Sequence, residues 1–363
     1  MKLKQYFSTI KDPRMNRKKL YSLETIFGIT IIASICGVQS WEQIALFAEL
    51  RKTELSEIID LSNGVPSHDT LERVYSSINP NDFHDCFVAW TKVLCNTDNK
   101  LIAIDGKVVR SSYDTASDKQ ALYLVNAWAS ENKLVLGQFK TEGKGHEIAG
   151  IKGLLELLCI TNSIISIDAI GCQKEITALI IEKKADYILA VKGNQAQLQN
   201  DITGSFSVLT PSSSNEIIEK NSGRVETRTC SVITNLKMIT SVAHWQGIQA
   251  VVRLESKRYI NAKEHTEVRY YITSVHKTAE ELNTLIRSHW GIENSLHWCL
   301  DVNFDEDSSR KRKGYSAQNY ALTRKIALNI VNSDTSSKLS MTHKKLKATL
   351  DINYLKKLLS FNA

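Results

Sequence analysis

The chain of 363 residues is 42% hydrophobic and 23% charged, which is typical of a soluble globular protein of about two or three domains. Its formal net charge of +7 permits a polyanionic partner without requiring one. The seven cysteines include no Cys-x-x-Cys pair, which argues against a disulfide framework or a zinc knuckle and indicates a cytoplasmic protein. The most apolar run, Ile26 to Val38, is shorter than the roughly twenty residues of a membrane-spanning helix, so we expect a core helix and no membrane partner.

Both ends of the chain are basic. Residues 1–19 contain seven lysines and arginines against one acid, Asp12, and the last thirty residues contain six lysines against two acids. Apolar residues from Leu23 onward recur at helical spacing, so residues 1–95 are predicted to form a helical domain. Clustered positive charge suits phosphate contacts, which makes this domain a candidate for DNA binding and residues 336–363 a basic C-terminal tail. Taken singly, each basic end is equally well explained as a solvated terminus.

Residues 96–335 have the sequence pattern of an α/β domain. Short apolar runs alternate with segments of helical spacing, which predicts a mixed sheet flanked by helices. Alternating patterns between about 203 and 275 predict a β-rich insertion outside the core sheet. A capping box, Thr278 to Glu281, then opens a long helix towards Leu300. The predicted core strands end at Ile104, Ala129, Phe139, Ile167 and Val191.

Two aspartates follow apolar runs and a glutamate interrupts an apolar helical stripe. Asp105 and Asp168 each end a predicted strand, and neighbouring strands would bring their carboxylates close enough to need a cation between them. Mg²⁺ prefers such oxygen ligands. Glu293 lies in a stripe with Ile286 and Leu300, where a buried carboxylate needs a partner. Singly, each aspartate is more simply a turn residue, and Glu293 is more simply a side chain that reaches water.

Other interpretations of the same region remain open. His289, Glu293 and His297 share one helical face, which is a less favoured hint of zinc because the His-Glu-x-x-His spacing is absent. Basic and amide side chains lie near the acids in the sequence and together would neutralise phosphates around a metal pair, although each alone is more simply a solvated group. They are Lys107, Arg110, Lys192, Asn194 and the run Arg310, Lys311, Arg312 and Lys313.

The chain resembles a known family from about residue 5 to residue 335. Its motifs resemble those of the ISAs1-type insertion-sequence transposases, including the H-repeat-associated proteins, within the IS4-like DDE group. Each motif alone is weakly specific for this family, but the order and spacing of the motifs together are strongly specific for it. The matching stretches are Gly64–Thr70, Ala103–Lys107, Ser166–Gly171, Ala185–Gln195, His289–Trp298 and Leu300–Asp307.

The resemblance implies an RNase H-like fold with a β-strand insertion before the last acidic helix. It also implies a catalytic, metal-binding triad of Asp105, Asp168 and Glu293, with Mg²⁺ as cofactor and Mn²⁺ as a substitute. The expected activity is cleavage and strand transfer at insertion-sequence ends. The expected partners are double-stranded DNA, as terminal inverted repeats and target, and a second copy of the chain in the DNA complex. The wider group often has Tyr, Arg and Lys around the glutamate, whereas this chain has Ile286, His289 and Leu300, of which His289 would partly replace the basic DNA contact.

Two other functions compete with an active transposase. One is a catalytically silent remnant that binds DNA, and the other is an RNase H-like, structure-specific DNA nuclease. An intact triad disfavours the first, and the N-terminal domain disfavours the second. The third metal ligand also has alternatives close to Glu293, namely Asp301, Asp305, Glu306 and Asp307.

Overall fold

A computed structural model describes residues 3–16, 19–115, 120–221, 224–260 and 263–360. Its strands lie in the middle of the chain, between two sets of helices. They are β1 (Leu101–Val109), β2 (Leu122–Ala129), β3 (Leu134–Thr141), β4 (Ile164–Ile167), β5 (Asp186–Val191), β6 (Ser213–Asn221), β7 (Arg224–Ile233), β8 (Ala250–Ile260) and β9 (Lys263–Thr273).

The helices before and within the sheet are α1 (Leu3–Phe7), α2 (Leu23–Ile35), α3 (Trp41–Leu50), α4 (Lys52–Leu55), α5 (His68–Ser77), α6 (Pro80–Leu94), α7 (Glu147–Leu157), α8 (Lys174–Glu182) and α9 (Ala196–Val208). Those after it are α10 (Ala279–His289), α11 (Trp298–Phe304), α12 (Ser316–Ser333), α13 (Met341–Leu350) and α14 (Ile352–Ser360). Side-chain caps begin several of them, and Thr278 and Glu281 form the capping box expected for α10.

The strands form one mixed sheet in the order β3-β2-β1-β4-β5-β9-β8-β7-β6. β1, β4 and β5 are parallel, whereas β2 and β3 pair antiparallel at one edge. Alternate residues of β1 face opposite layers: Ile102 and Ile104 pack in the core with α7, α8 and α9, and Ala103 packs in the core of the helical domain. This arrangement confirms the expected RNase H-like mixed sheet flanked by helices.

The β-rich insertion is joined to the sheet, and the prediction that it lies outside the core sheet is wrong. Its last strand, β9, pairs antiparallel with β5, with Ile188 opposite Thr273 and Val191 opposite Tyr270. The three preceding strands then extend the same sheet as an antiparallel meander. The predicted segment also begins in the last turns of α9, so its strands start at Ser213.

The helical domain is built from both ends of the chain. Side chains of α2, α12 and α14 share one apolar core, in which Leu355 and Leu358 are completely buried. The expected basic tail at 336–363 is therefore wrong, because α13 and α14 occupy most of it and apolar burial outweighs their lysine content. Residues 361–363 lie outside the described residues.

The basic N-terminal segment is also packed against this core. Phe7 is 1% exposed and its ring centre lies 4.9 Å from that of Phe27. Lys2, Arg17 and Lys18 of the predicted basic arm lie outside the described residues. Every residue of α2 except Glu24 is buried, as expected of a core helix. Within the described part of the chain, no helix combines the length and apolar character needed to cross a membrane.

Candidate active site

Asp105 and Asp168 lie on adjacent parallel strands. Ile104 of β1 pairs with Ile167 of β4, so the next residue on each strand is one of the two aspartates. Asp168 directly follows its strand, and its Oδ1 accepts a hydrogen bond from the Ile170 backbone N–H at 3.2 Å. Asp105 does not end its strand as predicted, because β1 continues to Val109. The pairing with β4 stops there, which leaves both carboxylates at one edge of the parallel strands.

Glu293 lies at the same edge of the sheet as the two aspartates, but on a π-helical segment and not on the predicted α-helix. Helix α10 ends at His289, and residues Ile292–His297 form a π-helical segment before α11, so the single long helix is wrong. Such π segments insert extra residues per turn and are frequent at functional sites. Its effect here is to leave Glu293 exposed while Leu296 is completely buried, so Glu293 does not lie in a buried stripe.

The three acids line one cavity of about 150 Å³, which we call the acid cavity. The sheet contributes Asp105 and Asp168, and the π-helical segment contributes Glu293 from above. Lys192, at the end of β5, and His289, at the end of α10, also line it. The structure therefore brings five of the predicted site residues together, although Asp105 and Glu293 lie far apart in the sequence.

Electrostatic repulsion is concentrated on Asp105. Burial and the negative charges of Asp168, Glu293 and Glu147 raise its pKa to about 7, against a lowering hydrogen bond from the Gly106 N–H at 2.8 Å. The Nδ1 atom of His297 lies 3.5 Å from Asp105 Oδ2. Burial, followed by the charges of Lys107 and Lys325, lowers the pKa of His297 to about 3, so this imidazole is neutral at pH 7 and brings no positive charge to Asp105.

The chemistry of the acid cavity fits a hard divalent cation. The acids that line it offer carboxylate oxygens, which Mg²⁺ prefers, and a bound cation would relieve the repulsion on Asp105. In the described residues, no three His, Cys, Asp or Glu side chains are grouped closely enough to hold a metal ion. The zinc interpretation gains no support either, because His289, Glu293 and His297 form no such group.

Lys107 does not face the acid cavity, so the prediction that it contacts DNA is wrong. Its side chain is 8% exposed and forms an ion pair with Asp301. Its Nζ also lies 3.6 Å from Glu306 and 3.6 Å from Asp307. Three carboxylates surround this ammonium group, one from α11 (Asp301) and two from the chain that follows it (Glu306 and Asp307). Three of the four alternative third ligands, Asp301, Glu306 and Asp307, are thus engaged with Lys107. The fourth, Asp305, is exposed.

The remaining predicted DNA contacts differ in what they can do. Asn194 donates its amide to the Ala169 carbonyl at 2.7 Å, beside Asp168, and so fixes the turn after β4. Arg310 is exposed, whereas Arg312 donates its Nε to the Ser111 carbonyl at 3.1 Å and stacks on a tyrosine. The Nε of Arg110 lies 3.2 Å from Asp307, but its side chain is 81% exposed and remains available to an anion.

His289 is placed at the acid cavity but carries no positive charge there. Burial, and to a lesser extent Arg269, lowers its pKa to about 4. The neutral ring can donate a hydrogen bond but cannot replace the charge of an arginine. The prediction that His289 partly replaces a basic DNA contact stays a prediction, in which the ring would contribute a hydrogen bond.

Sequence reasoning missed a fourth acid near the aspartates. Glu147, the first residue of α7, is 7% exposed, and its charge acts on both Asp105 and Tyr123. A Cβ atom at Gly106 would lie 2.2 Å from Glu147 Oε1 and 2.3 Å from the Tyr123 hydroxyl oxygen. Gly106 is therefore needed for close approach inside a strand, and an Asp-Gly pair within an apolar run was the available signal.

A family model described as DDE_Tnp_1-associated matches residues 4–91, and one described as Transposase DDE domain matches residues 96–330. The chain is 39% identical to the H repeat-associated putative transposase YhhI of Escherichia coli (strain K12), over 99% of this chain and 98% of that protein. It is 38% identical to the putative transposase YncI of Escherichia coli O157:H7, over 99% and 94%. A chain of the cryo-EM structure of a piggyBac transposase synaptic complex with hairpin DNA aligns with a TM-score of 0.48 at 12% identity, over 98% of this chain and 79% of that one.

Proposed function

Since this chain belongs to the DDE transposase family, we propose that it cleaves DNA at the ends of an insertion sequence of the ISAs1 type and transfers the cut strand to a target. The observation that carries the proposal is the acid cavity, which Asp105, Asp168 and Glu293 line from two strands and a π-helical segment. Three carboxylates on a cavity open to solvent suit phosphodiester chemistry that needs no covalent protein nucleophile.

Mg²⁺, or Mn²⁺ in its place, would be held by Asp105, Asp168 and Glu293 and would supply an activated oxygen nucleophile and charge stabilisation of the leaving oxygen. Lys192 is exposed at the same cavity, where its charge attracts a DNA phosphate. Asn194 holds the turn after Asp168 through its bond to the Ala169 carbonyl. Asn194 would thus keep Asp168 in position while Lys192 attracts the DNA backbone to the acid cavity.

The expected partners follow from the same activity. The substrate is double-stranded DNA bearing the element's inverted repeats, and the target is a second duplex. We propose that the helical domain contributes to recognition of the ends, that two copies act together on them, and that the reaction occurs in the cytoplasm. Arg110 and Arg310 are the exposed basic residues beyond the acid cavity that would follow the DNA backbone.

Cleavage of a labelled duplex that carries the inverted repeat flanking the gene tests the proposal, with Mg²⁺ and the full chain. Glu293→Gln keeps the shape of the side chain and removes one charge, so cleavage should fall by several orders of magnitude while DNA binding survives. Asp305→Asn is a matched control, because Asp305 is exposed in a left-handed conformation with φ 51°, which asparagine tolerates. Asp307→Asn should also cleave, since Asp307 is engaged with Lys107 and Arg110.

The outcomes separate the competing functions. Normal cleavage by Glu293→Gln, with none by Asp305→Asn or Asp307→Asn, would show that the third acid is assigned to the wrong residue. Binding without any cleavage by the wild-type chain would identify a silent remnant. Cleavage of branched DNA in preference to the inverted repeat would identify a structure-specific nuclease.

A further inference from the structure

A second cavity, of about 270 Å³, opens beside the acid cavity on the face of the insertion strands. Its walls come from β7, β8, β9 and α10, and four of its lining residues are arginines. We call it the arginine pocket, after Arg228, Arg258, Arg269 and Arg287. The two cavities share Arg269, Ile286, Trp290 and Glu293 as lining residues, so they are contiguous.

Strand geometry explains why the arginines meet. Even-numbered residues of β7 and β8 face α10, as the burial of Cys230 and Leu254 in one core with α10 residues shows. Arg228 lies opposite Ser256, and Arg258 lies opposite Glu226, so both guanidinium groups project to this face. Arg287 approaches them from α10.

Carboxylates contact all four arginines but do not satisfy them equally. Arg258 Nε lies 3.2 Å from Glu226 and Arg269 Nε lies 2.7 Å from Glu267. Glu219 is shared, at 3.1 Å from Arg228 and 3.6 Å from Arg287. Glu219 and Glu267 do not line the pocket, so its own walls carry four arginines against Glu226 and Glu293.

Arg228 is the residue that points to a ligand. Its side chain is 5% exposed, and its Nε and Nη1 atoms are buried without any hydrogen-bond partner. A buried donor of a charged group that is left unpaired destabilises the protein, so a ligand that pairs with it would be favoured. A phosphate oxygen would supply an acceptor to one of these two donors, because guanidinium N–H groups form charge-assisted hydrogen bonds with phosphate.

The walls favour a phosphate over a nucleobase. Trp290 is the aromatic side chain that lines the pocket, and the Arg269 guanidinium lies 4.5 Å from the centre of its ring. A base cannot stack on a face that an arginine already covers. The excess of arginines in the walls attracts an anion instead.

We propose that the arginine pocket binds a backbone phosphate of the DNA strand that leads out of the acid cavity. The inference rests on the proposed function, since it needs DNA at the acid cavity. It assigns the insertion strands a direct part in holding the substrate, with Arg228 as the buried anchor and Arg258 and Arg287 as its more exposed neighbours.

The test is the salt dependence of DNA binding by the full chain. A fluorescent 30-base-pair duplex of arbitrary sequence is the probe, because backbone contacts are independent of sequence. Arg258→Gln and Arg287→Gln should each flatten the slope of log affinity against log salt by up to about 0.9. Arg253→Gln is the matched control: it removes the same charge from β8, but Arg253 lies on the opposite face, 5.0 Å from the ring centre of Phe206.

A third variant separates charge from geometry. Arg228→Lys keeps the charge and loses the forked donors, so it should weaken affinity about tenfold without changing the slope, in a protein whose circular dichroism matches the wild type. The inference is overturned if Arg258→Gln and Arg287→Gln both keep the slope of Arg253→Gln. If the wild-type chain neither binds nor cuts DNA, the proposed function itself has failed. Cleavage that depends on Glu293, with an unchanged slope in both variants, removes only the arginine pocket.

Discussion

Leu355 tests whether the C-terminal helices belong to the folded core. It lies in α14 and is completely buried in the core that α2 and α12 also form. Full burial of a leucine side chain stabilises a protein by about 1.5–3 kcal/mol, and rigid neighbours add a cavity term when it is removed. Leu355→Ala should therefore lower the free energy of unfolding by about 3 kcal/mol. Leu350→Ala, in the neighbouring helix, should change it by less than about 0.5 kcal/mol, because Leu350 is 77% exposed.

Urea unfolding followed by tryptophan fluorescence measures both effects. Trp41 and Trp90 are buried in the helical core and report its loss. The midpoint should fall in Leu355→Ala while the dependence on urea stays the same, as expected for a change in stability alone. Equal midpoints for Leu355→Ala and Leu350→Ala would refute the reasoning. The segment would then behave as the solvated basic tail that its lysines predict.

Three further changes probe buried groups near the site. Lys107→Met should destabilise the chain by about 1–3 kcal/mol in thermal or urea unfolding, because Glu306, 0% exposed, loses the ammonium group at 3.6 Å and keeps only that of Lys325 at 3.9 Å; an unchanged midpoint would contradict this. Burial lowers the pKa of His84 to about 4, and its Nε2 accepts a backbone N–H of β3 at 3.2 Å. The folded-state pKa is below the unfolded value of about 6.5, so stability is lost as pH falls from about 6.5 towards 4, by about 2 kcal/mol at pH 5. His84→Gln should remove that part of the pH dependence. Gly106→Ala would place Cβ 2.2 Å from a Glu147 oxygen, so DNA cleavage should fall more than DNA binding does.

Local patterns were sufficient for the core of the site. An apolar run that ends in an acid predicts a strand with a carboxylate at its end, and parallel strands put such ends at one edge of a sheet. Asp168 follows this rule. Asp105 lies beside it although β1 continues through Gly106, a strand residue that Glu147 and Tyr123 approach closely.

Other features depend on contacts that no short window of sequence encodes. The insertion joins the sheet only because β9 pairs with β5 across about eighty residues of chain. The alternation of apolar and polar residues within β9 does not reveal this partner, because an edge strand of a separate sheet would show the same alternation. The burial of Lys107 depends on three acids about two hundred residues away. By contrast, α14 had a usable signal, since Leu355, Leu358 and Leu359 recur at helical spacing.

Because both chain ends pack in the helical core, DNA recognition cannot be tested by deleting the basic N-terminal segment. Phe7 and Ile10 are buried in the helical core, so removing residues 1–19 would also remove core side chains and could not isolate the effect of charge. Arg14 is held by Asp12 at 2.8 Å with 8% of its side chain exposed, which leaves it little capacity for phosphate. Helix α12 packs both on β3 and on α2, so the helical domain and the sheet share one element. If the helical domain binds DNA as proposed, α12 would fix that DNA relative to the acid cavity, and we expect further contacts with DNA at the exposed charges near the acid cavity.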